Sequence, residues 1–175
     1  MTSVNGLDET ELFKTDKDVA FDQALLGAWQ GVADNCTVTL TVSGESQTYE
    51  FKTTGQGEGC SDSDRKGEYY QGRLLRLDSH LFLDMFPKSD NVCEMCLPLH
   101  WIFLVDMDKD SLALTPIDDE WLKRALEQKT VVLTTLQGNT DVLTASSKDL
   151  KDFCRKYAGD KEAFKPDPGL RFKRK

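Results

Sequence analysis

Leu25-Leu26-Gly27-Ala28-Trp29 is the stretch on which the reading of this chain turns. An apolar pair leads into a glycine, and a tryptophan stands two residues later. Glycine lets a second backbone approach closely, and an indole closes one end of an apolar interior. The stretch therefore predicts an opening barrel strand over residues 25–34, with Trp29 plugging one end.

Beyond this strand the chain is a succession of short strands. Cys36 to Val42 alternates cleanly, with Val38, Leu40 and Val42 on one side and Thr37, Thr39 and Thr41 on the other. Period two with β-branched residues marks a half-buried strand. Ser43-Gly44-Glu45-Ser46 reads as a hairpin turn, and Thr48 to Thr54 returns with Tyr49, Phe51 and Thr53 on one face. Residues 55–66 are polar and glycine-rich and read as a surface loop. Glu68 to Asp78 is a long strand, with Tyr69, Arg73, Leu75 and Leu77 on one parity and Tyr70, Leu74 and Arg76 on the other. His80 to Phe86 comes next. Leu97 to Asp106 is apolar on both parities, which predicts a strand covered on both sides, the outer cover being a helix. Ser111 to Ile117 is its partner.

Asp118 is placed to cap a short helix from Asp119 to about Glu127. Thr130 to Leu136 and Asp141 to Ala145 read as the closing hairpin. Ser146, with Asp149 three residues on, caps a final helix whose stripe is Leu150, Phe153, Cys154 and Tyr157. Eight or nine strands in meander order, with a short helix before the last hairpin and a C-terminal helix, predict a mainly β fold: an antiparallel up-and-down barrel. The domain spans residues 21–165. Residues 1–20 form a polar, flexible N-terminal arm, and residues 166–175 a basic C-terminal tail. The tail, Arg171-Phe172-Lys173-Arg174-Lys175, reads as a solvated segment, with a short anchor for an acidic surface as the alternative.

Gly27-x-Trp29, the meander and the C-terminal helix resemble the lipocalin (calycin) superfamily. That resemblance implies a cup for a small apolar or amphipathic ligand, and an arginine over the tryptophan, for which Arg155 is the candidate here. The superfamily's Thr-Asp-Tyr turn has a partial counterpart in Thr140-Asp141-Val142. The runs Leu81-Phe82-Leu83-Asp84, Leu97-Pro98-Leu99-His100, Leu112-Ala113-Leu114-Thr115-Pro116, Asp119-Glu120-Trp121-Leu122 and 143–150 are similar to an uncharacterised bacterial family of lipocalin-like proteins. That likeness implies a fold and a hint of export to the cell envelope, and brings no activity with it.

The chain has 175 residues and a net charge of -8, which suits one domain and argues against a nucleic-acid partner. No apolar run approaches the ~20 residues of a membrane-spanning helix. Residues 1–24 lack a signal-peptide core. A native Met1 implies the cytoplasm; a removed signal implies the envelope or periplasm. No protein partner or oligomeric state is legible.

Candidate ligand-binding residues are Trp29, Tyr49, Phe51, Tyr69, Arg73 and His100, the aromatics lining a cavity and Arg73 meeting a ligand carboxylate. The same aromatics equally suit a filled barrel serving as an interaction module. Cys93-Glu94-Met95-Cys96 with His100 has the spacing of a zinc half-site, of a redox pair, or of ordinary loop cysteines. Cys36 and Cys60 flank the first hairpin and in an exported protein form a candidate pair. No Gly-x-Ser-x-Gly elbow is present, and Gly55-x-Gly57-x-Gly59 leads into no helix. Asp106, Asp108 and Asp110 lack the glycine and glutamate of a calcium loop. The expectation is a non-enzymatic protein without a cofactor.

Overall fold

A computed structural model describes residues 17–88, 101–133, 135–136, 142–143, 146–166 and 170–175. The strands β1 (Val19–Ala20), β2 (Gly27–Ala33), β3 (Cys36–Glu45), β4 (Thr48–Gln56), β5 (Glu68–Leu77), β6 (His80–Pro87), β7 (Trp101–Met107) and β8 (Ser111–Pro116) precede β9 (Thr135–Leu136), β10 (Val142–Leu143) and β11 (Arg171–Arg174). The helices are α1 (Asp62–Lys66), α2 (Asp119–Glu127) and α3 (Ser147–Tyr157). β2 to β8 pair consecutively and antiparallel, β11 bridges β8 and β2, and the barrel closes with eight strands. β1 adds a ninth by pairing with β5 at Leu74 and Leu75, past the end of the β4–β5 ladder. The predicted antiparallel barrel is the observed fold.

Turn chemistry sets the register. Asp34 and Asn35 join β2 to β3 with φ of 48° and 62°, the left-handed conformation that a two-residue hairpin demands. Asp108 carries the β7–β8 turn by accepting from the amides of Asp110 and Ser111, each at 2.8 Å. Asp118 caps α2 by accepting from the Trp121 amide at 2.8 Å, and Ser146 caps α3 by accepting from the Asp149 amide at 3.2 Å.

Two apolar cores lie on opposite sides of the barrel wall. Inside are Trp29, Leu40, Val42, Tyr49, Phe51, Leu74, Leu83, Phe103, Val105, Leu112, Leu114 and Phe172. Outside, Leu75, Leu77 and Phe82 pack with Leu122 and Ala125 of α2 and Phe153 and Cys154 of α3, joined by Ile102 and Leu104 of β7. The doubly apolar β7 is thus explained by helices on its outer face.

Several boundaries differ from the sequence reading, the opening strand among them, which spans Gly27–Ala33 and not 25–34. The arm does not extend to residue 20: Val19 and Ala20 are in the sheet, and the Arg76 amide donates to the Asp18 carbonyl at 2.8 Å. The expected closing hairpin is a separate two-stranded ribbon of β9 and β10. The expected tail closes the barrel instead. Its four-residue strand is too short to display an alternating pattern through so many charges, yet Phe172 points inward and is buried. Gly31 makes the closure possible, because a Cβ there would stand 2.6 Å from the Arg171 carbonyl oxygen. Finally, β3 runs through Glu45, and the expected loop 55–66 contains the end of β4 and the Ser61-capped α1.

Candidate ligand mouth and the sealed base of the barrel

The base is built around Trp29. Its indole N–H donates to the Leu25 carbonyl at 2.9 Å, and the Arg174 guanidinium lies 4.0 Å from its ring centroid. Arg174 is held over the ring by donating to the carbonyls of Ala24 (2.5 Å), Leu26 (3.0 Å) and Lys109 (3.0 Å). Gly27 adopts φ of 118°, where side chains are strained, and a Cβ there would come 3.2 Å from Arg174 Nη1. The arginine over the tryptophan is therefore Arg174 and not Arg155, which sits on α3 among Asp18, Asp78 and Asp152. Reading the last residues as solvated hides Arg174 from view.

Tyr49 completes the floor. Its ring stacks on Phe21 with centroids 5.0 Å apart, and its hydroxyl accepts from the Asp22 amide at 2.6 Å and donates to the Asp22 carbonyl at 3.2 Å. Burial raises the pKa of that hydroxyl above its ordinary value, so it remains a neutral donor. Trp29, Tyr49, Leu74 and Leu83 have no surface that water reaches, and Phe51 is 1% exposed. A void large enough for one water beside them would give them such surface, so this part of the interior is packed solid.

The opposite end is less closed. The disulfide Cys36–Cys60 covers the β3–β4 side, where a Cβ on Gly55 would lie 3.0 Å from both sulfurs. On the β5–β7 side, Tyr70 and Met85 face the interior and are only partly buried. Trp101, opposite Met85 in the ladder, is 42% exposed and meets the Tyr70 ring edge-on at 5.9 Å. The Tyr70 hydroxyl donates to the Glu68 carboxylate; burial first, and that carboxylate second, push its pKa well up. Aromatic edges, a thioether and a carboxylate-bound hydroxyl make a small amphipathic surface there.

The six candidate ligand residues do not share one site. Trp29, Tyr49 and Phe51 come together, but in the packed base. Tyr69 is on the outer face, 51% exposed, with Lys52 Nζ 5.2 Å from its ring centroid. Arg73 also lies outside: it shares the parity of Leu75 and Leu77, which pack under the helices, and stands opposite Asp84 in the β5–β6 ladder. Parity along β5 is legible in the sequence; which parity faces inward is not, because both carry leucines. His100, Cys93 and Cys96 lie outside the described residues. Among the described residues, no three His, Cys, Asp or Glu side chains are grouped to hold a metal ion. Cys154 is buried in the outer core, where desolvation pushes its thiol up to about 12, which keeps it protonated and unreactive.

One buried ion pair escapes sequence reading. Lys151 Nζ on α3 lies 2.6 Å from the Asp18 carboxylate, with the two side chains 6% and 14% exposed. The pair joins residues 133 apart in sequence, and no local pattern signals it. No helix of the described residues is long and apolar enough to cross a membrane. No family model, curated protein or solved structure matches the chain.

Proposed function

We propose that the chain is a non-enzymatic, lipocalin-like binding protein that takes a small amphipathic molecule at its upper mouth, not deep in its barrel. The observation that carries this reading is the contrast along one interior. Side chains at the base expose no surface, whereas Tyr70, Met85 and Trp101 on the same inward parity are partly open. Arg174 over Trp29, beside Gly27, supports the lipocalin-like part of the reading, and the Cys36–Cys60 disulfide supports an oxidising compartment.

Titration with an environment-sensitive apolar dye tests it. Saturable one-to-one binding is expected, and Trp101→Ala should weaken it at least tenfold while leaving the melting temperature within a few degrees. Dye binding that is absent, or indifferent to Trp101, would sink the proposal. The packed base favours a second reading, a filled barrel whose outer surface does the work; absence of any saturable dye site is the result it expects.

A further inference from the structure

The basic run Arg171-Phe172-Lys173-Arg174-Lys175 is divided by strand parity into two sets. Phe172 and Arg174 turn inward, to the core and to Trp29. Arg171, Lys173 and Lys175 take the opposite parity and are exposed. Alternate residues of a strand stand about 6.7 Å apart, so these cations form a straight row.

Among the described residues, the row crosses a part of the barrel that lies outside the helices' apolar core. The outer core draws on β5, β6 and β7, and includes no residue of β2, β3 or β11. Lys173 lies between Gln30 and Ser111, Arg171 lies beside Ala113, and the Lys175 amide donates to the Ala28 carbonyl at 2.9 Å. The outward positions on the flanking strands are Ala28, Gln30 and Val32 of β2, Ser111 and Ala113 of β8, and beyond β2 the threonines 37, 39 and 41. None is a carboxylate. The nearest carboxylates are Asp34 and Asp110 in turns, Asp106 of β7, which lies one strand beyond Ala113 from Arg171, and Glu45 at the far end of β3. Among the described residues, Arg171, Lys173 and Lys175 have no ion-pair partner. Val32, on the same face, is 66% exposed. The chain as a whole has a net charge of -8, so the row is a local reversal of sign.

We propose that this face docks on the anionic headgroups of a lipid surface. A plane of headgroups receives a row of cations without demanding a shape or register, and its interface admits a single apolar side chain such as Val32. The acidic remainder of the molecule is repelled by the same plane, so the face that approaches is fixed. A soluble acidic peptide gains nothing from that asymmetry. Docking through this face is independent of what the mouth binds.

Co-sedimentation of the full chain with vesicles tests it. Binding is expected to phosphatidylglycerol–phosphatidylcholine vesicles and not to phosphatidylcholine alone, and it should vanish when salt is raised to about 0.5 M. The triple variant R171Q/K173Q/K175Q should bind about a hundredfold more weakly, at roughly tenfold or less per cation. Its melting curve should match the parent's, since the three side chains point outward. The variant K123Q/R124Q/K161Q, equal in charge but placed on and beside the helical layer, should bind like the parent. The proposal is overturned if the parent ignores anionic vesicles, or if both triple variants lose binding equally. It is also overturned if the parent binds polyglutamate in preference to vesicles, which would make the occupant an acidic protein.

Discussion

Trp29 shows how much one side chain organises. It is fully buried, bonded through its indole N–H, and roofed by Arg174, which itself fastens three carbonyls from two separate segments. Removing the ring leaves a cavity in a packed base and strips Arg174 of its platform. Trp29→Ala should therefore cost about 3–5 kcal/mol of unfolding free energy, read from urea denaturation. An unchanged midpoint would show that the base is not the anchor. Trp29 is legible from its Gly27-x-Trp29 context. Arg174 is not, because in a run of basic residues nothing local distinguishes an arginine bound to a ring from one in water.

At the scale of elements, the connection between β4 and β5 is held by more than its own short helix. α1 has only five residues, and the disulfide ties its approach to the start of β3 across 24 positions. Closing a loop of that length restricts the unfolded chain, and its loss should lower stability by about 3 kcal/mol. A melt of the Cys36→Ala/Cys60→Ala variant checks this; no drop relative to the parent would mean that packing of α1 on β4 is sufficient. The same scale explains where sequence reading fails. Strands with clean alternation, such as β3 and β4, are legible to within a few residues of their ends. β1 and β11, of two and four residues, are not, because alternation needs length to be seen and each is placed by pairing with strands far away in sequence.

For the whole molecule, the buried Lys151–Asp18 pair clasps the helical layer and the N-terminal strand together. The hydrogen bond from Lys151, assisted by its charge and that of Arg155, lowers the Asp18 pKa below its ordinary value against the opposing effect of burial. A carboxylate whose folded pKa is depressed adds stability that is complete above its unfolded value and is lost as the pH falls through the folded one. The parent should therefore lose stability more steeply than Asp18→Asn between about pH 5 and 2, measured by denaturant midpoints across that range. Parallel profiles for the two proteins would rule out the clasp as an acid-sensitive contribution.

The sequence by itself determined a mainly β chain, its consecutive antiparallel strands, the caps of α2 and α3, and a helix over the outer face of β7. These depend on period, turn chemistry and neighbours in the chain, all of which are local. Only the tertiary structure decided which strand closes the barrel, which parity of β5 faces inward, which arginine covers Trp29, and that the aromatic base is filled. Each of these is fixed by residues far apart in sequence meeting at one place, where packing and not propensity selects the partner.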